Sequence, residues 1–228
     1  MQMSADRRLA VIAIDGPAGA GKSTIARRLA QRLGFTYIDT GAMYRAVALW
    51  ARRQNVDSND MHRMEQLAWA ADIELEPGGS RVILNGEDVS QAIRTPEMAA
   101  AASVAATIPG VRRALVEKQR AIGASTSVVM EGRDIGSVVF PNADVKIFLD
   151  ADPGERIRRR QADAADAPES IAEEIRQRDD RDRTRAESPL MQAPDAVYID
   201  STGLSPDETE EIVLKVIRTK ITNGKGFE

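Results

Sequence analysis

The segment that most constrains the fold of this chain is residues 9–24, which read Leu-Ala-Val-Ile-Ala-Ile-Asp-Gly-Pro-Ala-Gly-Ala-Gly-Lys-Ser-Thr. An apolar run of strand length leads into Gly16-x4-Gly21-Lys22-Ser23, and a helical pattern follows at once. Glycines let the backbone curl so that its N–H groups converge on a polyphosphate, while Lys22 reaches the outer phosphates and Ser23 offers a hydroxyl to Mg²⁺. A glycine turn that only joins a strand to a helix is the alternative, and it needs no lysine and serine at these places. The segment therefore predicts a P-loop that binds a nucleoside triphosphate.

Size and composition are those of an ordinary protein with a packed core. The 228 residues suffice for one α/β domain with a small appendage, and 43% of them are hydrophobic. The formal net charge of −4 argues against a general nucleic-acid binder, which is usually basic. The sequence contains no cysteine, which excludes disulfides, thiolate catalysis and cysteine-ligated zinc. We find no targeting signal and no membrane span in the sequence, so we expect a cytoplasmic protein.

Five short β-like runs recur along the chain, with helical patterns between most of them: 9–14, 35–38, 127–130, 144–149 and 196–199. This alternation predicts an α/β fold, with a parallel five-stranded sheet and helices on both of its faces. Three of the runs end in a carboxylate, Asp39, Asp150 or Asp200, and ligands of open α/β sheets gather at such strand ends. A helix cap or a loop turn is the alternative role, and it is the one that we expect for Asp150 and Asp200.

Residues 72–90 interrupt this alternation. Two β-like runs flank Pro-Gly-Gly-Ser and an Asn-Gly pair follows, which predicts a small antiparallel hairpin inserted in the domain. A helical pattern returns over 96–122, and a capping box at Ser205 and Glu208 opens a last amphipathic helix. The polar, low-complexity segment 161–170 predicts a mobile loop.

Arginines are concentrated in the run Arg176-Gln-Arg-Asp-Asp-Arg-Asp-Arg-Thr-Arg185, where Arg178, Asp182 and Arg185 share one face of a helix. A solvated face held by weak ion pairs is the alternative interpretation. If the acceptor of a phosphoryl group is itself a phosphate, convergent arginines neutralise the two anions, and no general base is needed. The single histidine, His62, is then expected to have no catalytic role. A GTPase is disfavoured, because the sequence lacks an Asn-Lys-x-Asp or Thr-Lys-x-Asp segment.

Five motifs, in order along the chain, carry a resemblance to a known family. They are Gly-Pro-Ala-Gly-Ala-Gly-Lys-Ser-Thr (16–24), Asp-Thr-Gly-Ala-Met-Tyr-Arg (39–45), Glu-Gly-Arg-Asp-Ile-Gly-Ser-Val-Val-Phe-Pro (131–141), Ala-Asp-Val-Lys-Ile-Phe-Leu-Asp-Ala (143–151) and Arg-Asp-Asp-Arg-Asp-Arg (178–183). With the hairpin insert, they make the chain resemble the bacterial cytidylate kinases, which are P-loop nucleoside monophosphate kinases, over nearly its whole length.

The resemblance implies an ATP site formed by the whole glycine-rich loop: Gly16, Pro17, Ala18, Gly19, Ala20, Gly21, Lys22, Ser23 and Thr24. It implies that Lys22, Arg133 and Arg185 are catalytic, because they stabilise the migrating charge. Magnesium is the expected cofactor, with Ser23 as its protein ligand.

The resemblance also implies a CMP-binding set: Thr40, Arg45, Ser103, Arg112, Arg133, Asp134, Arg178, Asp182 and Arg185. Arg45, Arg133 and Arg185 hold the acceptor's phosphate in this assignment. Arg178 and Asp182 face its sugar, and Ser103, Arg112 and Asp134 read its base. This last group suits cytosine, because its N4 amine donates to a carboxylate while N3 or O2 accepts from an arginine. Uracil presents an acceptor, O4, to the same carboxylate and is expected to be disfavoured.

A single kinase domain, 1–228, is expected, with a core formed by 1–40, 116–154 and 188–228. Residues 41–115 would form an acceptor-binding subdomain that contains the insert at about 72–90, and residues 155–187 would form a helical lid. Thr40, Glu131 and Ser137 stand where the family commonly has serine, aspartate and threonine, and they keep the polarity of these positions.

The expected reaction is transfer of the γ-phosphoryl group of ATP to CMP or dCMP, giving ADP and CDP or dCDP, by a monomer with no nucleic-acid or membrane partner. One alternative is a kinase for another small acceptor, either another nucleoside monophosphate or a hydroxyl substrate. A more distant alternative is a non-catalytic P-loop module whose arginine-rich helix binds RNA.

Overall fold

A computed structural model of the chain describes residues 9–76, 78–79, 81–162 and 168–223. Over these residues the elements run in the order β1 (Val11–Asp15), α1 (Lys22–Leu33), β2 (Thr36–Asp39), α2 (Thr40–Arg53), α3 (Met61–Ala70), β3 (Ile73–Leu75), β4 (Val82–Leu84), β5 (Glu87–Asp88), α4 (Pro96–Ala105), α5 (Pro109–Ser125), β6 (Val128–Gly132), a π-helical turn (Ile135–Val139), β7 (Val145–Asp150), α6 (Pro153–Ala162), α7 (Pro168–Thr184), β8 (Val197–Asp200) and α8 (Pro206–Asn223). The five predicted strands of the main sheet are confirmed, each beginning and ending one or two residues later than predicted.

The main sheet is parallel throughout the described residues, with the strand order β2-β6-β1-β7-β8. Strand β1 lies at its centre, where Asp15 is aligned with Gly132 of β6 and with Phe148 of β7. The loops that leave β1, β6 and β7 therefore start side by side at one edge of the sheet, which is where open α/β sheets bind ligands.

Apolar side chains alternate between the two faces of this sheet, as expected for strands covered on both sides. Ile12 and Ile14 of β1 pack with α1 and α8, while Ala13 packs on the opposite face with α5 and the π-helical turn. The predicted capping box opens α8, since the Ser205 N–H donates to the Glu208 carboxylate and the Glu208 N–H donates to Ser205 Oγ.

A further hydrophobic cluster joins helices α2 to α5 and includes Val82 and Leu84 of a small antiparallel sheet. The predicted hairpin is confirmed, and a third short strand, β5, extends it through a turn in which Asn85 and Gly86 both have positive φ. The helical pattern predicted over 96–122 is confirmed except for a break at 106–108, since α4 ends at Ala105 and α5 starts at Pro109. Proline fits the first position of a helix but not its interior, which explains the break.

Helix α6 ends at Ala162 and α7 begins at Pro168. Both ends of the predicted loop 161–170 are therefore helical, and its middle, residues 163–167, lies outside the described residues. Over the residues that the structure covers, no helix combines the length and the apolar character needed to cross a bilayer.

Candidate active site

The P-loop connects the central strand β1 to helix α1. Gly16 lies so close to β7 that a Cβ atom there would come within 1.9 Å of the Leu149 carbonyl oxygen. Gly21 caps α1 in the left-handed region, with φ 88°, and no side chain caps this helix end. The first amides of α1 are thus free of a side-chain cap, and a helix N-terminus of this kind attracts anions.

Lys22, at the start of α1, is buried. Its Nζ atom donates to the Pro17 carbonyl oxygen at 2.6 Å, which folds the side chain back along the loop. Burial lowers the pKa of Lys22 to about 7, and the positive charges of Arg133 and Arg178 act in the same direction, while Glu131 opposes them. A phosphate anion beside Nζ would stabilise the ammonium form, so ligand binding and protonation are coupled here.

Glu131, the residue before the last of β6, faces the start of α1. Its carboxylate accepts from the Tyr37 hydroxyl at 2.6 Å and from the Ser23 hydroxyl. Burial raises the pKa of Glu131, and the nearby Asp39 adds to this effect, while Lys22 opposes it. Two hard oxygen ligands, a serine hydroxyl and a carboxylate, therefore lie together, and they suit Mg²⁺. Sequence reasoning assigned Ser23 to the metal and missed Glu131.

A cavity of about 940 Å³ lies next to the P-loop, whose residues form part of its lining. Three of the predicted acceptor-binding arginines line it together with Ala18 to Thr24: Arg45, Arg133 and Arg178. Arg158, Arg159 and Arg160 of α6 and residues 203–206 also line it. The cavity thus joins the triphosphate loop to convergent guanidinium groups.

Carboxylates pair with two of these arginines. Arg45 Nη2 lies 2.8 Å from Asp39 Oδ2, and Arg133 Nε lies 2.7 Å from Asp182 Oδ2. Burial lowers the pKa of Arg178 to about 10, and Arg133 adds to this effect, while Asp182 opposes it. No hydrogen bond or ion pair joins Arg178 to another described residue. Burial alone would raise the pKa of Asp182, but Arg133 and Arg178 together lower it.

The predicted base-reading residues lie outside the lining of this cavity. Arg112 and Asp134 form a buried ion pair, and Arg185 Nη2 lies 3.5 Å from Asp134 Oδ1. Arg185 also lies 3.9 Å from Asp182, so ion pairs connect Arg112 to Arg133 in one continuous series. Three polar atoms of this region are buried and have no hydrogen-bond partner among the described residues: Ser103 Oγ, Arg112 Nε and Arg185 Nη2.

The remaining predicted residues occupy separate places. The Thr40 hydroxyl donates to the Glu131 carbonyl oxygen at 2.7 Å, next to the site. Ser103 lines a second cavity, of about 290 Å³, between α4 and α7, which it shares with Arg178. His62, on α3, is exposed and contacts Gln66, outside both cavities.

Helices α6 and α7 contact the P-loop directly, which sequence reasoning missed. The Asp179 carboxylate accepts from the Ala18 N–H at 3.2 Å and pairs with Arg156 at 2.5 Å. Arg156 in turn donates to the Ala18 carbonyl oxygen at 3.0 Å. Both side chains are buried, so this pair fixes one loop residue through both of its backbone groups. Arg156 is the first residue of the run Arg-Ile-Arg-Arg-Arg (156–160), and nothing in the sequence distinguished it from the other arginines of that run.

Asp150 and Asp200 make local contacts at the strand ends, as expected, whereas Asp39 both caps a helix and lines the cavity over the P-loop. Asp39 caps α2 by accepting from the Ala42 N–H, and Asp200 forms a turn with Thr202. Asp150 accepts from the N–H of Ala151, the next residue. A fourth strand, β1, also ends in a buried carboxylate, Asp15, for which sequence reasoning assigned no role.

A glycine loop at the end of the central strand of a parallel sheet, facing a cluster of guanidinium groups, is the arrangement of P-loop enzymes that transfer phosphoryl groups. The cytidylate kinase family model matches residues 12–219. The chain belongs to the cytidylate kinase family.

Similarity to individual proteins extends over most of the chain. This chain is 67% identical over 224 residues to a cytidylate kinase of Solibacter usitatus (strain Ellin6076), and the match covers 95% of this chain and 96% of that protein. It is 48% identical over 222 residues to a cytidylate kinase of Pelotomaculum thermopropionicum (strain DSM 13744 / JCM 10971 / SI), covering 94% and 96%. A crystal structure of an uncharacterized protein from Eubacterium ventriosum shares the fold, with a TM-score of 0.51 and 12% identity over 92% of this chain and 99% of that one.

Proposed function

We propose that this chain transfers the γ-phosphoryl group of Mg·ATP to the phosphate of CMP or dCMP, giving ADP and CDP or dCDP. The observation that carries the proposal is one cavity in which the P-loop meets Arg45, Arg133 and Arg178, in a member of the cytidylate kinase family. An oxygen of the acceptor phosphate bonds to the γ-phosphorus, and the bond from that phosphorus to the oxygen bridging it to the β-phosphate breaks. That bridging oxygen leaves with ADP.

The donor half of the site is the loop from Gly16 to Thr24. Its amides and the N-terminus of α1 face the phosphates, and Lys22 leaves the Pro17 carbonyl oxygen to contact them. Ser23 and Glu131, which lie in hydrogen-bond contact, would hold Mg²⁺, and the bound ion would neutralise negative charge on the phosphate oxygens. Lys22, Arg133 and Arg185 stabilise the charge that moves between the two nucleotides.

The acceptor's phosphate is held by Arg45, Arg133 and Arg185. All three arginines lie within ion-pair distance of a carboxylate: Arg45 of Asp39, Arg133 of Asp182, and Arg185 of Asp134. The incoming phosphate takes the place of these carboxylates as the partner of the arginines. Arginine suits this exchange, because its planar donors bind carboxylate and phosphate with the same geometry.

The base and the sugar occupy the region between α4, α5 and α7. Ser103, Arg112 and Asp134 read cytosine, and their unpartnered atoms, Ser103 Oγ and Arg112 Nε, support this role, because buried polar atoms normally have partners. Arg178 and Asp182 face the sugar, and the Thr40 hydroxyl lies next to Glu131 at the junction of the two halves.

The proposal divides the domain as the sequence suggested, into a core, an acceptor-binding region at 41–115 and a lid at 155–187. The contacts of Arg156 and Asp179 with Ala18 support the lid, because they join α6 and α7 to the P-loop. Closure of these helices over both nucleotides would exclude water that otherwise hydrolyses ATP.

A coupled assay of ADP release with CMP, dCMP, UMP and AMP as acceptors tests the proposal. We expect turnover with CMP and dCMP and much less with UMP and AMP. Preference for AMP or for a hydroxyl acceptor would contradict it. Salt-sensitive RNA binding without acceptor-stimulated ATP turnover would also contradict it. Neither alternative is favoured by the family relationship.

The proposal also includes a cytoplasmic monomer with no nucleic-acid or membrane partner. Its substrates are nucleotides, and one chain supplies every proposed binding residue. Light scattering on the purified protein tests the monomer, and a mass of twice the 24.8 kDa of the chain would contradict it.

A further inference from the structure

Asp15, the last residue of β1, is buried and has no part in the proposed reaction. Its Oδ1 atom accepts from the Ile135 N–H at 2.8 Å, and its Oδ2 atom accepts from the Gly136 N–H at 2.7 Å. These two amides open the π-helical turn that follows Asp134. Both oxygens of one carboxylate are therefore used to hold the start of a single turn.

The residue that precedes a helical turn commonly caps it with its own side chain. Asp134 occupies this position and makes no such bond. Its carboxylate is turned instead to Arg112 and Arg185. Asp15 supplies the cap from a neighbouring strand, and this leaves the Asp134 carboxylate available to the arginines.

We propose that Asp15 is a positioning residue for the acceptor, because it fixes the backbone from which Arg133 and Asp134 project. The inference rests on the proposed function, which assigns the phosphate to Arg133 and the base to Asp134. Asp15 also directly precedes Gly16, the first residue of the P-loop. One carboxylate thus joins the donor loop to the segment that binds the acceptor.

The charge of Asp15 matters to this role. Burial raises its pKa to about 6, and the two amides and Lys22 oppose this effect, while Asp134 adds to it. The aliphatic part of Lys146 packs nearby against Gly136, while its Nζ atom pairs with Asp195. Above this pKa the carboxylate is ionised and makes charge-assisted bonds to the turn, which are stronger than neutral ones.

The test is Asp15→Asn, which keeps the size and one acceptor but places an amide donor against the second N–H. We expect the KM for CMP to rise about tenfold or more, the range for loss of a charge-assisted bond. The preference for CMP over UMP should fall, while the KM for ATP changes less than about threefold. If this variant does not fold, Asp15→Glu, which keeps the charge but displaces it, is expected to give the same selective loss.

Asp144→Asn is the matched control, because the Asp144 carboxylate accepts from the Val11 N–H at the opposite end of β1. We expect it to lower the melting temperature without changing the KM for CMP. Equal losses for ATP and CMP in Asp15→Asn, or no change for CMP, would overturn the inference.

Asp134→Ala, measured in parallel, separates this inference from the function on which it rests. If Asp134→Ala lowers the CMP-to-UMP preference and Asp15→Asn does not, only the role of Asp15 is wrong. If Asp134→Ala leaves the preference unchanged, the base-reading role itself is wrong, and the inference fails with it.

Discussion

Burial lowers the pKa of Lys22 to about 7, which is close to neutral pH. Bound ATP would favour the ammonium form and raise this pKa, so binding should take up protons near neutral pH. The liganded state then holds more protons, and ATP affinity should fall as the pH rises from 7 to 8. Calorimetry of ATP binding in buffers of different ionisation enthalpy measures this uptake. Lys22→Gln should abolish the pH dependence of ATP affinity between pH 7 and 8. An equal proton uptake by this variant would contradict the prediction.

Arg133 is expected to serve the reaction more than the binding of ATP. Its guanidinium lines the cavity and pairs with Asp182, a partner that the proposed reaction would exchange for the acceptor's phosphate. Arg133→Ala should therefore reduce turnover by two or more orders of magnitude, about the effect of removing one transition-state charge contact. Fluorescent ATP-analogue binding should change little. Near-normal turnover of CMP by this variant would show that the role is misassigned.

How far single residues could be predicted depends on whether their partners are close in sequence. The P-loop set follows from one contiguous motif, and the capping box of α8 follows from Ser205 and Glu208, three residues apart. Glu131 and Asp15 act through Ser23 and the 135–136 amides, which lie over 100 residues away along the chain. Spacing along the chain carries no information about such contacts. A strand that ends on an acid, as β1 does at Asp15, was the available signal.

Helices α6 and α7 are held to the P-loop by the buried pair of Arg156 and Asp179. Asp179→Asn removes the charge that pairs with Arg156 and weakens the bond to the Ala18 N–H. We expect the KM for ATP to rise. We also expect the rate of ADP release in the absence of CMP to increase relative to the rate in its presence, because the helices exclude water less well. Loss of one partner of a buried pair costs up to about 3–5 kcal/mol, so the melting temperature should also fall.

The next residue along α7 provides the control for this substitution. Asp180 is exposed and pairs with Arg176 at 3.5 Å on the surface. Asp180→Asn should leave both the kinetics and the melting temperature nearly unchanged, because exposed pairs contribute little. Equal behaviour of the two variants would contradict a special role for Asp179.

Elements were predicted well where the pattern is local and strong. All five strands of the main sheet follow from short apolar runs between helical patterns, and the insert follows from its Asn-Gly turn. The break between α4 and α5 was missed, because Ala106 and Ile108 continue the apolar pattern across it. Pro109 marked the position of the break, since proline begins a helix more readily than it continues one.

The molecule as a whole should unfold in one step, because α5 contributes to two of its hydrophobic clusters. Val111 and Leu115 pack with α2 to α4, while Val116 packs against the main sheet. Both tryptophans, Trp50 and Trp69, lie on α2 and α3. Tryptophan fluorescence and far-ultraviolet circular dichroism should therefore give coincident melting curves.

Leu115→Ala tests this coupling, because Leu115 is fully buried at the centre of the α2–α5 cluster. We expect the free energy of unfolding to fall by about 2–5 kcal/mol, as for other buried leucines. Both melting curves should shift by the same amount. A shift in fluorescence alone would show that the two regions unfold independently.

The carboxylates that pair with Arg45, Arg112 and Arg133 affect how readily these arginines bind small anions from solution. Chloride or inorganic phosphate that reached these guanidinium groups would have to compete with an aspartate that is already tethered in place. A tethered partner competes at a high effective concentration, which a small diffusing ion does not match. A nucleotide also contacts the site through its base and its sugar, so it should displace the paired aspartates more readily than a small ion does. We therefore expect these arginines to bind small anions weakly and a nucleotide acceptor much more strongly.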